Sequence, residues 1–199
     1  MIKKHLALSI FLASTSFVVN ATETVPPAQS LTENHLSLGA TGFSADKHKA
    51  SGYRFQLGQQ WSNNWSISLD HRDGKGEFLE TKNDLERQNS SLLIGKHYAM
   101  GTQASLYVKA GYSIERISYD AVEDKQSSAM IATGIKHRIN DDFSYKFGVS
   151  YTEHTHVEAA LRYQLSPRVA VDFATQYGNG ETVYGLNLIW YTNTPYEKN

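Results

Sequence analysis

The sequence predicts an all-β fold, an antiparallel up-and-down barrel of about ten strands, with eight strands as the alternative. Apolar and polar residues alternate with period two, most clearly over Phe143–Tyr151 and Val157–Leu165, and this period is typical of β-strands. The connections between such segments alternate between short turns and longer polar stretches. Aromatic residues concentrate at the ends of the apolar faces, as in barrels that cross a membrane.

The N-terminal region has the pattern of a secretory signal peptide over residues 1–21. Two lysines precede the apolar run Leu6–Val19, which is shorter than the roughly 20 residues that a spanning helix needs. Residues 22–33 include two consecutive prolines and show no periodicity, so we expect a flexible leader. The barrel is expected over residues 34–192, followed by a tail over 193–199.

Ten segments carry the alternation, and the first is the least regular of them. They are Leu36–Phe43, Ser51–Trp61, Asn64–His71, Gln88–Tyr98, Ala104–Glu115, Ser128–Ile139, Phe143–Tyr151, Val157–Leu165, Val169–Tyr177 and Val183–Tyr191. Short turns such as Ser62-Asn63 join some of them, and we expect longer loops at Arg72–Arg87 and Arg116–Ser127. Short turns at one end and long loops at the other predict a transmembrane barrel with both termini on the short-turn side.

The two strand faces differ in a way that favours lipid outside and a narrow lumen inside. The apolar face is interrupted by ionisable groups only at Lys96 and His137, both close to short turns. The other face is rich in glycine and serine, which suits a narrow interior better than a solvated surface. It also carries charges of both signs. The predicted location is therefore the cell outer membrane, and a soluble barrel with an apolar core is the competing interpretation.

Several segments resemble a known class of small barrels. Gly52-Tyr-Arg-Phe55, Gly111-Tyr-Ser113 and a last strand Tyr184-Gly-Leu-Asn-Leu-Ile-Trp-Tyr191 follow the signal peptide. The chain is in this respect similar to the small outer-membrane β-barrel proteins of the OmpX/Ail type and to their accessory-colonisation-factor-like relatives. This resemblance implies a barrel in outer-membrane lipid that is inserted by the outer-membrane assembly machinery.

Composition narrows the classes of function. The chain has no cysteine, which excludes thiol chemistry, and its formal charge of -1 argues against a nucleic-acid binder. No cofactor motif is present, because the Gly-x-Gly pairs at Gly74 and Gly178 open no helix.

The candidate site residues fall into four groups. Inward charges predict a lumen network of Arg54, Asp70, Lys109, Lys146, Glu158, Arg162 and Asp172. Apolar residues within the long loops, Phe78, Leu79, Tyr119 and Val122, are candidates for contacting a ligand. A weak metal candidate is His154, His156 and Glu158 at two-residue spacing. Rim acids and histidines offer a candidate catalytic cluster, Asp70, His71 and Asp73 with His154 or His156.

Three hypotheses about function follow from these residues. The first is a non-enzymatic barrel with a structural, adhesive or envelope-protective role, whose loops contact a host or cell-surface ligand. The second is an outer-membrane enzyme that uses the histidine and acid cluster at the rim. The third is a small-solute channel, which a lumen filled by side chains argues against.

Overall fold

The computed structural model describes residues 34–79, 84–119 and 122–192, and these form a closed antiparallel barrel of ten strands. Each strand pairs with its neighbours in sequence, and the first pairs with the last. The strands are β1 (His35–Ala45), β2 (His48–Gln60), β3 (Trp65–Phe78), β4 (Asp84–Met100), β5 (Ala104–Tyr119), β6 (Val122–Arg138), β7 (Phe143–Tyr151), β8 (Thr155–Ser166), β9 (Val169–Gly178) and β10 (Glu181–Tyr191). The predicted fold class and the count of ten are confirmed.

The stagger of the strands fixes the size of the barrel. Following paired residues once around the barrel from Val122 leads back to β6 at Gly134, a displacement of 12 residues. A ten-stranded barrel with this stagger has strands tilted by about 40° from its axis, and its interior is narrow enough for side chains to fill.

The alternation places apolar side chains outside and polar side chains inside. On β10, for example, Leu186 is 57% exposed and its neighbour Asn187 is 1% exposed. Two bands of exposed aromatic residues bound the apolar surface. The band on the loop side is Tyr53, Tyr112, Tyr151, Tyr177 and Tyr184, and the band on the short-turn side is Trp61, Trp65, Phe143, Tyr145, Tyr163 and Trp190.

The separation of these bands fits a membrane. Phe143 and Tyr151 lie eight residues apart on one strand, about 27 Å along it and about 20 Å along the axis at a tilt near 40°, close to the roughly 25 Å apolar band of such barrels. Two ionisable groups on this face lie near the short-turn side. The Lys96 ammonium group lies 5.7 Å from the centroid of the Tyr98 ring, and the His137 ring stacks on Tyr145 of the short-turn band with 5.3 Å between ring centroids.

The prediction of two long loops is wrong, because both segments consist largely of strand residues. Most of Arg72–Arg87 extends β3 and β4, and most of Arg116–Ser127 extends β5 and β6. These extensions lie beyond the tyrosine band, where the outer face of a strand also meets water, so hydrophobic alternation disappears although the backbone pairing continues. Among the described residues, the rim of the barrel is therefore uneven, highest at β5–β6 and lowest at β7–β8.

The predicted signal peptide, leader and C-terminal tail lie outside the described residues. Within residues 34–79, 84–119 and 122–192, no helix is long and apolar enough to span a membrane.

Candidate functional site

The upper lumen is organised around one carboxylate and two guanidinium groups. Arg54 on β2 is bound to its diagonal neighbour Asp70 on β3, with Arg54 Nη2 2.5 Å from Asp70 Oδ2 and Arg54 Nε 3.1 Å from Oδ1. Arg72, two residues along β3, donates to the same carboxylate at 3.1 Å and to the side-chain oxygen of Gln176 on β9 at 2.9 Å. The second bond crosses the lumen, so this layer connects opposite walls of the barrel.

The lower lumen holds a second network on β8, β9 and β10. Arg162 and Asp172 are directly paired in register, and Arg162 Nη2 lies 3.3 Å from Asp172 Oδ2. Arg162 also donates to the Tyr191 hydroxyl at 3.1 Å, and Asn187 donates to Asp172 Oδ1 at 2.9 Å. The side chains of Arg162 and Asp172 are 14% and 9% exposed, so this pair is largely removed from water.

A third group surrounds Tyr107, which is 3% exposed inside the barrel. The ammonium groups of Lys109 and Lys146 lie 5.6 and 5.4 Å from the centroid of its ring. Lys146 donates to both carboxylate oxygens of Glu158 at 2.9 Å, and Lys109 donates to the Ser68 hydroxyl at 3.2 Å. The seven residues of the predicted lumen charge network therefore face inward and lie in three groups.

Two glycines leave space for the Tyr107 side chain. The Tyr107 hydroxyl lies against the backbone of Gly134 and Gly148, where a Cβ atom on either glycine would overlap it. Gly134 and Gly148 are paired with each other on β6 and β7. These two glycines therefore have a steric reason, because the Tyr107 hydroxyl packs closely against the inner face of both paired strands.

Between these layers lies a polar cavity of about 230 Å³. Its walls include His35 near the short-turn end and His154 near the loop end. All five arginine and lysine residues of the layers described above line it, and so does Lys136.

The outer mouth has its own charged group, here called the mouth cluster: His48, Arg87, Glu115 and Glu181. Arg87 pairs with both glutamates, and its guanidinium lies 4.9 Å from the centroid of the Phe43 ring. His48 Nε2 lies 3.5 Å from Glu181 Oε1. Burial and the nearby positive charge of Arg87 both lower the pKa of His48, and they outweigh the opposite effect of Glu115.

Above the mouth cluster, apolar side chains from β1, β2 and β4 meet inside the barrel. Phe43 and Leu85 are each 1% exposed and Ala50 is 6% exposed. Phe78, Ile117 and Val183 pack around them, and we call these six residues the mouth core. This core packs against the inner face of the extended strands.

The apolar candidates from the predicted loops have different environments. Phe78 belongs to the mouth core and makes edge contacts with the rings of His48 and Tyr119, at 5.8 and 5.6 Å. Tyr119 and Val122 are paired with each other at the tip of β5–β6, on the same inner face, and are 38% and 51% exposed. Leu79 lies just after β3 and is 36% exposed. Only Leu79, Tyr119 and Val122 are therefore exposed enough to contact a ligand.

The β5–β6 hairpin also has an open edge. Pairing between β6 and β7 ends at Ile131 with Tyr151, whereas pairing between β5 and β6 continues to Val122. Along Val122–Met130, within the part of the chain that the structure describes, no strand pairs with the second edge of β6. Nine residues correspond to about 30 Å of strand, or about 20 Å of height above the end of β7. Sequence reasoning missed this edge because it read the segment as a loop.

The histidine clusters do not assemble as the sequence suggested. His154 lies in the turn before β8, and among the described residues no group of three or more histidines and acids is placed to hold a metal ion. Glu158 is instead bound to Lys146. The rim cluster is divided between two faces: Asp70 points into the lumen, whereas His71, on the outer face, contacts Ser90 at 2.8 Å and the Tyr53 ring at 6.0 Å. Adjacent strand residues point to opposite faces, so a joint catalytic site does not form.

Comparison with known proteins identifies similar outer-membrane barrels. Residues 9–159 match the family model described as outer membrane protein beta-barrel domain. No curated protein matches the sequence. Among solved structures, the porin NanC aligns at a TM-score of 0.50 and 12% identity, over 79% of this chain and 100% of NanC.

Two other solved structures are also similar. Neisserial surface protein A aligns at a TM-score of 0.45 and 13% identity, over 79% of this chain and 96% of that one. Ail of Yersinia pestis aligns at 0.38 and 16% identity, over 80% and 99%. At these identities, the likeness to NanC establishes a shared barrel fold and no more.

Proposed function

Because the chain belongs to the outer membrane protein beta-barrel domain family, we propose that this outer-membrane barrel is non-enzymatic and binds a protein partner at the cell surface. The binding element is the β5–β6 hairpin. Outer-membrane lipid surrounds the barrel, and the outer-membrane assembly machinery inserts it.

The open edge of β6 carries this proposal. An unpaired strand edge presents a row of free backbone N–H and C=O groups, and an extended segment of another protein can add to it as a further strand. The edge begins above the tyrosine band, so it is accessible from outside the cell. The charged side chains of Glu123, Asp124 and Lys125 along it would limit indiscriminate pairing with other strands.

The inner face of the hairpin tip adds a second contact. Tyr119 and Val122 are exposed there, beside the covered Phe78 and Ile117. A strand added to β6 would place alternate side chains on this face, where apolar groups could cover Tyr119 and Val122. Backbone bonds would then supply affinity, and these side-chain contacts would supply specificity.

The experiment shortens the hairpin without changing the register. Glu115 and Gln126 are paired, with the same parity as the terminal pair Tyr119 and Val122, so an Asn-Gly turn in place of residues 116–125 can join them in phase. Cells that display the wild-type protein should adhere to host epithelial layers and to immobilised extracellular-matrix protein, and the shortened variant should lose most of this adhesion.

A matched control keeps the backbone edge and changes only outward side chains. The double variant Glu123→Ala and Lys125→Ala removes two exposed charges from the outer face of β6 and should adhere like wild type if the backbone edge mediates binding. Equal adhesion by wild type and the shortened variant, at equal surface amounts, would refute the proposal. Loss of adhesion in the charge variant alone would instead indicate an electrostatic contact.

A further inference from the structure

The open edge of β6 fixes the direction of a strand that binds to it. This edge runs from Val122 to Met130, and the turn between β7 and β8 lies at its foot. Below the turn, β7 pairs with the same edge in the antiparallel direction. A partner strand would therefore continue the sheet above β7 and run antiparallel to β6, which is the slightly more stable form of pairing.

The outer face of this edge carries charges of both signs. Glu123 and Lys125 point outward on β6, and Lys125 is directly opposite Arg116 of β5. Arg116 Nε lies 2.8 Å from Glu123 Oε1. Two cations and one carboxylate thus share the outer face of the hairpin tip.

The inner face of the same edge has a different composition. Its residues are Val122, Asp124, Gln126, Ser128 and Met130, and the last three line the cavity, which places this face inside. Asp124 is exposed and is the one ionisable group among these five. A side chain of a partner strand on this face would therefore meet a carboxylate and no cation of β6.

A second carboxylate lies at the foot of the edge. Glu153 of the β7–β8 turn is exposed, lines the cavity and accepts a hydrogen bond from the Ser128 hydroxyl at 3.3 Å. Asp124 is four residues from Ser128, or about 13 Å along the strand. The arginine of the mouth cluster is bound to the two glutamates of that cluster, and no ion pair joins Asp124 or Glu153 to another described residue.

From the unpaired backbone edge and the two carboxylates beside it, we propose, on the basis of the function proposed above, that the partner is a protein with a basic extended segment. Strand residues four apart point to the same face, so one Lys or Arg opposite Ser128 reaches Glu153 and another, four residues later, is opposite Asp124. An apolar residue two positions further is opposite Val122. Such a segment has Lys or Arg at positions i and i+4 and an apolar residue at i+6.

Charge then selects between partners that could all form the same backbone bonds. Opposite charges across a strand pair stabilise it, and like charges directly opposite destabilise it. An acidic segment would place its carboxylates against Asp124 and Glu153 and is disfavoured. The alternate residues of the partner lie on the outer face, beside Arg116 and Lys125, where a further cation is not required.

The test uses the whole barrel in detergent and a fluorescently labelled peptide, Thr-Lys-Thr-Gln-Thr-Lys-Thr-Val-Thr, which has this spacing. Fluorescence anisotropy should show saturable binding that weakens as salt is added. A peptide of the same composition with its lysines three residues apart places them on opposite faces and should bind more weakly. A peptide with glutamate in place of both lysines should bind least.

Variants of the barrel identify the carboxylates. Asp124→Asn combined with Glu153→Gln should weaken binding of the lysine peptide about fivefold, as expected for the loss of two exposed ion pairs. Asp124→Lys combined with Glu153→Lys should reverse the preference and favour the glutamate peptide. Glu86→Gln is the matched control, because Glu86 is an outward carboxylate of β4 that is 54% exposed and pairs with Lys75, and its binding should equal wild type.

The outcomes separate the chemistry of the partner from the binding edge itself. No saturable binding of the lysine peptide to wild type, equal binding of the lysine and glutamate peptides, or full affinity in the Asp124→Asn, Glu153→Gln variant would overturn the basic partner. If that variant also adheres to cells like wild type while the shortened hairpin does not, the edge binds a partner of other chemistry and the proposed function stands. Full adhesion by the shortened hairpin would refute the proposed function as well.

Discussion

The ion pair between Arg162 and Asp172 allows the charge balance of the lumen to be measured. We expect Asp172→Leu to be the more damaging single substitution and Arg162→Met the milder one. Removing the carboxylate leaves the Arg162 guanidinium, which is 14% exposed, among other cations. Removing the guanidinium leaves a carboxylate that still accepts from Asn187 at 2.9 Å and shares the lumen with Arg54 and Arg72.

The magnitudes follow from burial. Breaking a buried ion pair costs roughly 3 to 5 kcal/mol when one charge remains uncompensated, and this range applies to Asp172→Leu. For Arg162→Met we expect about 2 kcal/mol, because Asp172 keeps other partners. The double variant should lose only about 2 to 3 kcal/mol, since no uncompensated member of the pair remains and the Asn187 amide group is the main one left without its acceptor.

Urea-induced unfolding in detergent, followed by tryptophan fluorescence, measures these free energies. The two single losses and the double loss form a double-mutant cycle, with a coupling energy of at least about 2 kcal/mol expected. A second double variant, Arg162→Met with Glu158→Leu, is the control, because Glu158 pairs with Lys146. This variant should be less stable than Arg162→Met alone. Additive single losses in the first cycle, or a silent Asp172→Leu, would refute the view that the Arg162 guanidinium depends on the Asp172 carboxylate.

Three further outcomes are expected. Leu186→Cys should react with a lipid-soluble thiol probe and Asn187→Cys should not, because only the first faces the apolar surface; the reverse pattern would contradict the facing of β10. Gly148→Ala should lose about 1 to 3 kcal/mol through overlap with the Tyr107 hydroxyl, and Tyr107→Phe should restore part of that loss in urea unfolding; no restoration would place the strain elsewhere. His48 has a lowered pKa in the folded protein, so the stability it contributes is present above its ordinary value of 6.5 and is lost as the pH falls through the lowered pKa. His48→Gln should flatten the pH dependence of the unfolding midpoint between pH 7.5 and 5, and identical curves would exclude this role.

Membrane-spanning strands could be predicted because lipid imposes a one-sided pattern. Phe147 and Gly148 have opposite environments for a simple reason: one meets hydrocarbon and the other meets a narrow lumen. The pairing of Arg162 with Asp172 could be predicted as one of two options, because a tight turn joins β8 to β9. A short connection leaves few registers open.

Contacts between distant strands could not be read from the sequence. Phe43 on β1 packs with Leu85 on β4 only because the curved wall of the barrel brings their inner faces together, and neither residue interrupts the local pattern in a recognisable way. The extended hairpins could not be predicted for a different reason. Residues such as Arg116 and Lys125 are paired strand residues with water on their outer face, so nothing in their polarity distinguishes a strand from a loop.

The uneven rim also explains why binding would concentrate at the tip of β5–β6. A strand pair outside the membrane needs a third strand or an apolar face to be stable. Strand β5 has both, because β4 pairs with it as far as Tyr119 and Ile117 belongs to the mouth core. Strand β6 lacks a second neighbour along Val122–Met130, and at the tip Tyr119 and Val122 remain exposed. A partner strand added there would supply the missing hydrogen bonds and cover the exposed side chains together, so the least stabilised part of the sheet has the most to gain from binding.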